Sequence, residues 1–219
     1  MYKRLVTVTI QQQTVKCKVQ YDSTKGDVLT EAQDNRLETA TLANGCFWCT
    51  EAVFKIVKGV IQIEPGYTGG ATTNPTYEEV STGRTGHVEA VQLTFDPMVI
   101  SFKEILEIFF ATHDPTTMNR QGPDMGTQYN SVIYYHNEPQ KATALAVIDE
   151  LNEEGIWEKP IVTRVLPANV FYKAELYHKD YYAKHPESAY CQQVITPKIV
   201  KLQQRYYSKL KPVWLVDKS

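Results

Sequence analysis

The sequence predicts one sizeable α/β domain, with two small domains as the alternative. Three observations carry that expectation. The chain has 219 residues, of which 42% are hydrophobic and 22% charged, the make-up of a globular protein rather than a disordered or fibrous one. Residues 39–42 form a β-like run that turns at Gly45 into the apolar, helix-forming stretch 52–57. Farther on, 87–95 alternates with a period of two while 101–110 repeats with a helical period.

Taken in order, residues 1–21 read as a β-hairpin, with strands Leu5 to Ile10 and Val15 to Tyr21 around a Gln-rich turn. In the second strand Val15, Cys17, Val19 and Tyr21 share a face, so Cys17 reads as a small buried hydrophobe. Residues 22–37 are polar and read as a linker, with the main domain starting near Glu38. After the helix that follows Cys46, Val60 to Ile63 is a strand and 65–70 a long glycine turn. Pro75 is expected at the first position of a short helix.

The strand His87 to Phe95 places Glu89 on the same face as Val91, Leu93 and Phe95. A carboxylate among apolar side chains has its pKa raised by desolvation, which marks functional sites. The plainer alternative is that Glu89 reaches water at the strand end or pairs with Arg84. Ser101 and Glu104 form a capping box for the next helix. The polar loop 121–129, containing Asp124, feeds the strand Ser131 to His136. Asn137 caps a helix that ends at Gly155. A strand over 161–166, a helix over 175–185, Cys191 in a loop, and a last amphipathic helix from Thr196 complete the reading.

A net charge of −2 without basic runs argues against a nucleic-acid partner. No apolar run approaches the roughly 20 residues a membrane span requires. Met1 to Ile10 lacks the apolar core and cleavage site of a signal peptide, so none is expected. Four cysteines, at 17, 46, 49 and 191, are too few for a disulfide scaffold and suggest redox or nucleophilic chemistry.

Cys46-Phe47-Trp48-Cys49 sits on the strand–helix turn. At a helix start the dipole and unpaired N–H groups favour a thiolate, so Cys46 is expected to titrate low. Three chemistries compete: a thioredoxin-like dithiol, half of a zinc site, or a nucleophile resolved by a second cysteine. No second pair of cysteines or paired histidines completes four zinc ligands. The dithiol reading leaves the two aromatics beside the thiol unexplained.

The ordered motifs GCFWCTE, GYTGG, NPTYEEV, GHVEAVQLTFDP, HDPT and GPDMGTQYNSVIYY resemble the peptide methionine sulfoxide reductase A family, from about Thr39 to Cys191. Residues 1–37 and the helix after Pro197 fall outside that resemblance. It implies an α+β fold with a mixed sheet flanked by helices around a ferredoxin-like core. The domain plan is then an N-terminal extension and linker, 1–37, and a catalytic domain, 38–219, ending in a recycling segment and terminal helix.

By the same resemblance, Cys46 attacks the sulfur of a methionine S-sulfoxide, free or in proteins. Phe47 and Trp48 form the pocket for its methyl group. Glu89, Tyr77 and Tyr129 hydrogen-bond the sulfoxide oxygen, and Asp124 helps hold the site. No metal or organic cofactor is implied. The resulting sulfenic acid condenses with another thiol, and thioredoxin or a similar dithiol reductant restores the enzyme. The sequence departs from the commoner family pattern in having Cys49 where glycine is frequent and one tail cysteine where two are frequent. Cys191 is the favoured resolving residue, with Cys49 as the alternative. A monomeric cytoplasmic enzyme is expected. The rival functions are a general dithiol oxidoreductase and a non-catalytic zinc or interaction module.

Overall fold

A computed structural model of the chain describes residues 5–10, 13–18 and 36–212, which fall into two compact units divided after Glu38. In the first unit β1 (Leu5–Ile10) pairs antiparallel with β2 (Gln13–Lys18), so the hairpin forms with an earlier second strand than the alternation suggested. The Cys17 side chain and the linker up to residue 35 lie outside the described residues.

The second unit is built on a six-stranded sheet. Its strands are β3 (Glu38–Asn44), β4 (Val60–Thr68), β5 (Val88–Phe95), β8 (Ser131–Tyr135), β9 (Arg164–Pro167) and β10 (Phe171–Lys173). The order is β10-β4-β5-β3-β8-β9, and β8–β9 is parallel while β4–β5, β3–β8 and β4–β10 are antiparallel. A separate two-residue hairpin, β6 (Arg120–Gln121) with β7 (Asp124–Met125), lies in the polar loop. The helices are α1 (Phe47–Lys55), α2 (Tyr77–Ser81), α3 (Phe102–Ala111), α4 (Glu138–Glu153), α5 (Tyr181–Lys184) and α6 (Thr196–Tyr206). This is the α+β class with a mixed sheet.

Alternation along the strands splits the core between the two faces of the sheet. Leu42, Val91, Leu93 and Phe95 join Phe54, Ile105, Phe109, Val147 and Leu202 from four helices in one large apolar cluster. Ala43, Val88, Ala90, Val132 and Tyr134 form a small cluster of their own. Glu89 therefore lies on the heavily packed face, where only a neutral or hydrogen-bonded carboxyl is tolerated. The capping boxes at Ser101 and Thr76 and the Asn137 cap fix three helix starts. No helix among the described residues is long and apolar enough to cross a membrane.

Five local expectations are corrected. The stretch 65–68 is strand rather than turn, because the Pro65 ring nitrogen faces the β10 side at the end of that short strand, where no ladder bond is lost. Gly66 is needed there for a different reason: a Cβ would lie 2.6 Å from the Phe171 ring and against the Tyr172 carbonyl. Pro75 precedes the α2 cap, Thr76, instead of opening the helix. The strand expected over 161–166 begins only at Arg164. Of the helix expected over 175–185 only α5 forms, since Asp180 takes a left-handed φ of 59° and residues before it turn to meet other elements. Cys191 opens a π-helical turn, Cys191–Ile195, that runs into α6 and is fully buried, not in a loop.

Gly66→Ala is expected to destabilise the protein by roughly 1–3 kcal/mol by overpacking. A lowered Tm in thermal unfolding at pH 7 checks this, and an unchanged Tm would mean that β10 yields without cost.

Candidate active site

The site forms where β3 turns into α1. Gly45 makes the turn with φ of 96°, and a Cβ there would sit 2.5 Å from Gln121 Cγ of the loop hairpin. Cys46 is the N-cap of α1, and its carbonyl accepts from Cys49 N at 3.1 Å and Thr50 N at 3.4 Å. The Phe47 N–H at the helix start is taken by Glu89 Oε2 at 3.0 Å. Strand β5 thus delivers a carboxyl to the place where the helix dipole favours negative charge.

Glu89 is 2% exposed, so neither the water-reaching nor the Arg84-paired alternative describes it. Burial pushes its carboxyl up to about 8 against the Phe47 N–H, with Asp124 and Cys49 adding to the rise. At neutral pH the group is mostly a neutral acid. Burial, and then the neighbouring Glu89, also raise the Tyr77 and Tyr129 hydroxyls, which stay protonated. Cys46 in turn acts electrostatically on both tyrosines.

The sulfurs depart from expectation. Burial raises the Cys46 thiol well above its ordinary value, and its hydrogen bond to Cys49 and the nearby Glu89 hold it there. Cys49 is lowered to about 7, chiefly by that same hydrogen bond and with help from Lys198. Of the two neighbouring sulfurs, it is Cys46 that burial and its neighbours keep protonated, and Cys49 that its hydrogen bonds and Lys198 lower. The part of the helix start that was expected to act on Cys46 is occupied by Glu89.

Phe47 and Trp48 face opposite demands. Phe47 is 1% exposed and packs on Tyr67, ring centroids 5.8 Å apart. Trp48 is only half-buried, stacks on Tyr181 at 3.6 Å and 3°, and meets the Tyr190 ring edge-on at 5.8 Å. Its indole N–H donates to His178 Nδ1 at 3.0 Å.

Of the residues singled out in the sequence, Cys46, Cys49, Glu89, Tyr77, Tyr129, Asp124, Phe47 and Trp48 converge here. Cys191 does not present its thiol in the same way: it is fully buried in the apolar cluster, one residue past Tyr190. Sequence reasoning missed Tyr190, whose hydroxyl donates to Asp124 Oδ2 at 2.7 Å and lies 3.7 Å from Cys49 Sγ. It also missed Glu175, which accepts from Tyr67 Oη at 2.8 Å and Tyr77 N at 2.9 Å, and the buried His178. The sequence predicts a helix from Glu175 to His185, although that stretch lacks a clean apolar stripe and is crowded with aromatic and charged groups. Buried Glu51 of α1 anchors that stretch by accepting from Asp180 N, and Lys55 pairs with the Asp180 carboxylate. Among the described residues no group of three or more His, Cys, Asp or Glu could hold a metal ion.

The arrangement combines paired thiols, a neutral carboxylic acid, tyrosine hydroxyls and an aromatic wall open to solvent at one side. It suits nucleophilic attack on a small polar group that leaves only when protonated.

Comparison with known proteins gives this chemistry a setting. The family model for peptide methionine sulfoxide reductase matches residues 38–211, so the matched region runs beyond Cys191 and includes α6. That extension has a physical basis: Ile199 and Leu202 pack into the main cluster, and Leu210 bridges to Val57. The peptide methionine sulfoxide reductase MsrA of Thermus thermophilus is 55% identical over 175 residues, covering 80% of this chain and 98% of the relative. That of Saccharolobus solfataricus is 57% identical with the same coverage. Among solved structures, reduced Mxr1 of Saccharomyces cerevisiae superposes with a TM-score of 0.67 at 31% identity, over 79% of this chain and 93% of that one. Methionine sulfoxide reductase A of Corynebacterium diphtheriae gives 0.64 at 36% identity, over 70% and 77%.

Proposed function

We propose how this chain, which belongs to the peptide methionine sulfoxide reductase family, divides its reaction among its residues. The protein reduces methionine sulfoxide, and the S epimer is the proposed substrate. Cys46 attacks the sulfoxide sulfur while Glu89 gives its proton to the departing oxygen. Tyr77 and Tyr129 hydrogen-bond that oxygen, and Asp124 fixes Tyr190 beside the sulfurs. Phe47 and Trp48 receive the methyl group, a discrimination worth about 1–3 kcal/mol.

The balance closes simply. The S–O bond of the substrate breaks as its oxygen, protonated by Glu89, passes to the Cys46 sulfur. The thiol proton returns to Glu89, so that thiol and sulfoxide give sulfenic acid and thioether. A second thiol then attacks the sulfenic sulfur and releases water, and a dithiol reductant, proposed as thioredoxin, exchanges with the disulfide. The observation that carries the reading is Glu89: a carboxyl buried among apolar groups, raised to about 8, beside a nucleophilic sulfur.

The geometry favours Cys49 over Cys191 as the resolving thiol. Cys49 is already hydrogen-bonded to Cys46, which lowers its thiol to about 7, whereas Cys191 must leave a fully buried place. Residues 38–219 are proposed as the catalytic domain and 1–37 as an extension to it. A cytoplasmic setting is proposed because the cycle depends on a reducing partner.

Single turnover of reduced protein with a peptide bearing methionine S-sulfoxide tests the cycle by mass spectrometry. The expected products are one equivalent of methionine and a Cys46–Cys49 disulfide. Cys49→Ser should still yield that first equivalent but lose at least about 90% of thioredoxin-driven turnover, a deficit of 1.4 kcal/mol or more. A Cys46–Cys191 link with unimpaired Cys49→Ser would return the resolving role to Cys191. No methionine from folded, reduced protein would overturn the function.

A further inference from the structure

The two tyrosines assigned to the sulfoxide oxygen come from different elements. Tyr77 opens α2, a helix of five residues, and Tyr129 ends the 3₁₀ turn Thr127–Tyr129. So short a helix holds no position of its own and takes it from tertiary contacts. At its start these are the Thr76–Glu79 capping box and Glu175 Oε1, which accepts from Tyr77 N at 2.9 Å. Its end is tied to the turn that carries the second tyrosine. Gln128 Nε2 donates to the Ser81 carbonyl at 3.3 Å, and Thr127 Oγ1 donates to the Gly83 carbonyl at 2.9 Å. Only the nitrogen of the Gln128 amide can bond a carbonyl, so its oxygen is turned toward Gly126, where a Cβ would collide with it. That oxygen is buried without a hydrogen-bond partner among the described residues, in a residue only 4% exposed. An unpaired buried acceptor weakens a fold, so stability alone does not explain the amide's place.

We propose that Gln128, seconded by Thr127, is a positioning residue for the reduction: it clamps the end of α2 to the turn that carries Tyr129 and so fixes the spacing at which Tyr77 and Tyr129 receive the sulfoxide oxygen. The proposal rests on the reading of those tyrosines as hydrogen-bond donors to that oxygen. Both hydroxyls lie within electrostatic reach of Glu89 and Cys46, and Tyr129 within that of Tyr77. As the S–O bond breaks, charge gathers on the oxygen, and donors fixed in advance stabilise it most. A drift of α2 against the turn would lengthen one of the two bonds at that moment. The clamp contributes little to folding itself. Ser81 and Thr127 lie at the surface, so water can replace either bond when it is removed.

Gln128→Leu removes the donor together with the unpaired oxygen. In single-turnover reduction of a methionine S-sulfoxide peptide, its rate at saturation should fall about tenfold, the worth of one hydrogen bond, while the half-saturating concentration moves less than about twofold. Its Tm should hold or rise. Thr127→Val, at an exposed position, should slow the reaction about threefold, and its rate decides if Gln128→Leu does not fold. Because the clamp works through the tyrosines, Gln128→Leu should cost less than about twofold in a Tyr77→Phe background. Protein labelled with 3-fluorotyrosine, the two resonances assigned by Tyr77→Phe and Tyr129→Phe, reports on the pair without substrate, and both resonances should move in Gln128→Leu. If Tyr77→Phe and Tyr129→Phe slow the reaction, a wild-type rate in Gln128→Leu or an undiminished cost in the Tyr77→Phe background would overturn the proposal. So would a Tm that falls with the rate, or tyrosine resonances that stay in place. Full-rate Tyr77→Phe and Tyr129→Phe with moved resonances would instead fault the reading of the tyrosines and leave the clamp intact.

Discussion

Cys46→Ser is expected to abolish reduction, with methionine formation at least about 10⁴-fold slower than in the wild type, since a serine hydroxyl at this site stays protonated and is a poor nucleophile. The loss should be chemical rather than structural. Cys46 occupies the N-cap of α1, and serine is a preferred N-cap residue whose hydroxyl can accept from the first-turn N–H groups. The Tm should therefore hold or rise while the single-turnover yield falls to zero. Any equivalent of methionine released by folded Cys46→Ser would move the nucleophile elsewhere.

The second large effect is at Glu89. Glutamine there keeps an oxygen for the Phe47 N–H and loses the transferable proton, so the chemical step should slow by about 10²–10⁴-fold while peptide binding changes little. The pH response carries a signature. In the wild type the single-turnover rate should fall as pH rises through about 8, where Glu89 loses its proton. The residual rate of Glu89→Gln should show no such fall.

Stability should move the other way. The folded protein keeps a proton on Glu89 up to about 8, whereas the free carboxyl loses it near 4.5, so stability is lost as pH rises through that window. At pH 7 the cost to the wild type is about 3 kcal/mol. Glu89→Gln escapes it, and its Tm should match the wild type near pH 4.5 and exceed it increasingly toward pH 8. A Tm difference independent of pH would mean that Glu89 does not fold as a neutral acid.

The reacting centre was legible in the sequence because local rules place it. A glycine turn between strand and helix sets Cys46 at a helix start, and strict alternation sets Glu89 among Val91, Leu93 and Phe95. The Ser101 capping box marks the start of α3 in the same local way, whereas the sequence puts the start of α2 at Pro75, ahead of its Thr76 cap. The surrounding wall was not legible. Glu175, His178 and Asp180 depart from helix because distant groups recruit them: Tyr67 and Tyr77 hold the first, Trp48 the second, Glu51 and Lys55 the third. Such contacts span more than 90 residues and leave no period to read. The low-titrating Cys46 failed for a related reason, since the helix-start donor it was expected to use belongs to a carboxyl from another strand.

The strapping of residues 175–190 across α1, by Glu51, Lys55 and Trp48, separates two tasks along the chain. The sulfurs and their acid belong to the rigid strand-and-helix framework, where a change costs the reaction itself. Much of what surrounds the Trp48 indole is contributed by a short, mostly irregular segment joined to that framework by a few side-chain bonds. Substitution in that segment can redraw which oxidised side chains are admitted while the way they are reduced stays the same. On the proposed roles, selectivity is thus an exchangeable part, and grafting residues 176–189 from one relative to another is a route to new sulfoxide substrates that keeps Glu175, Tyr190 and the thiols in place.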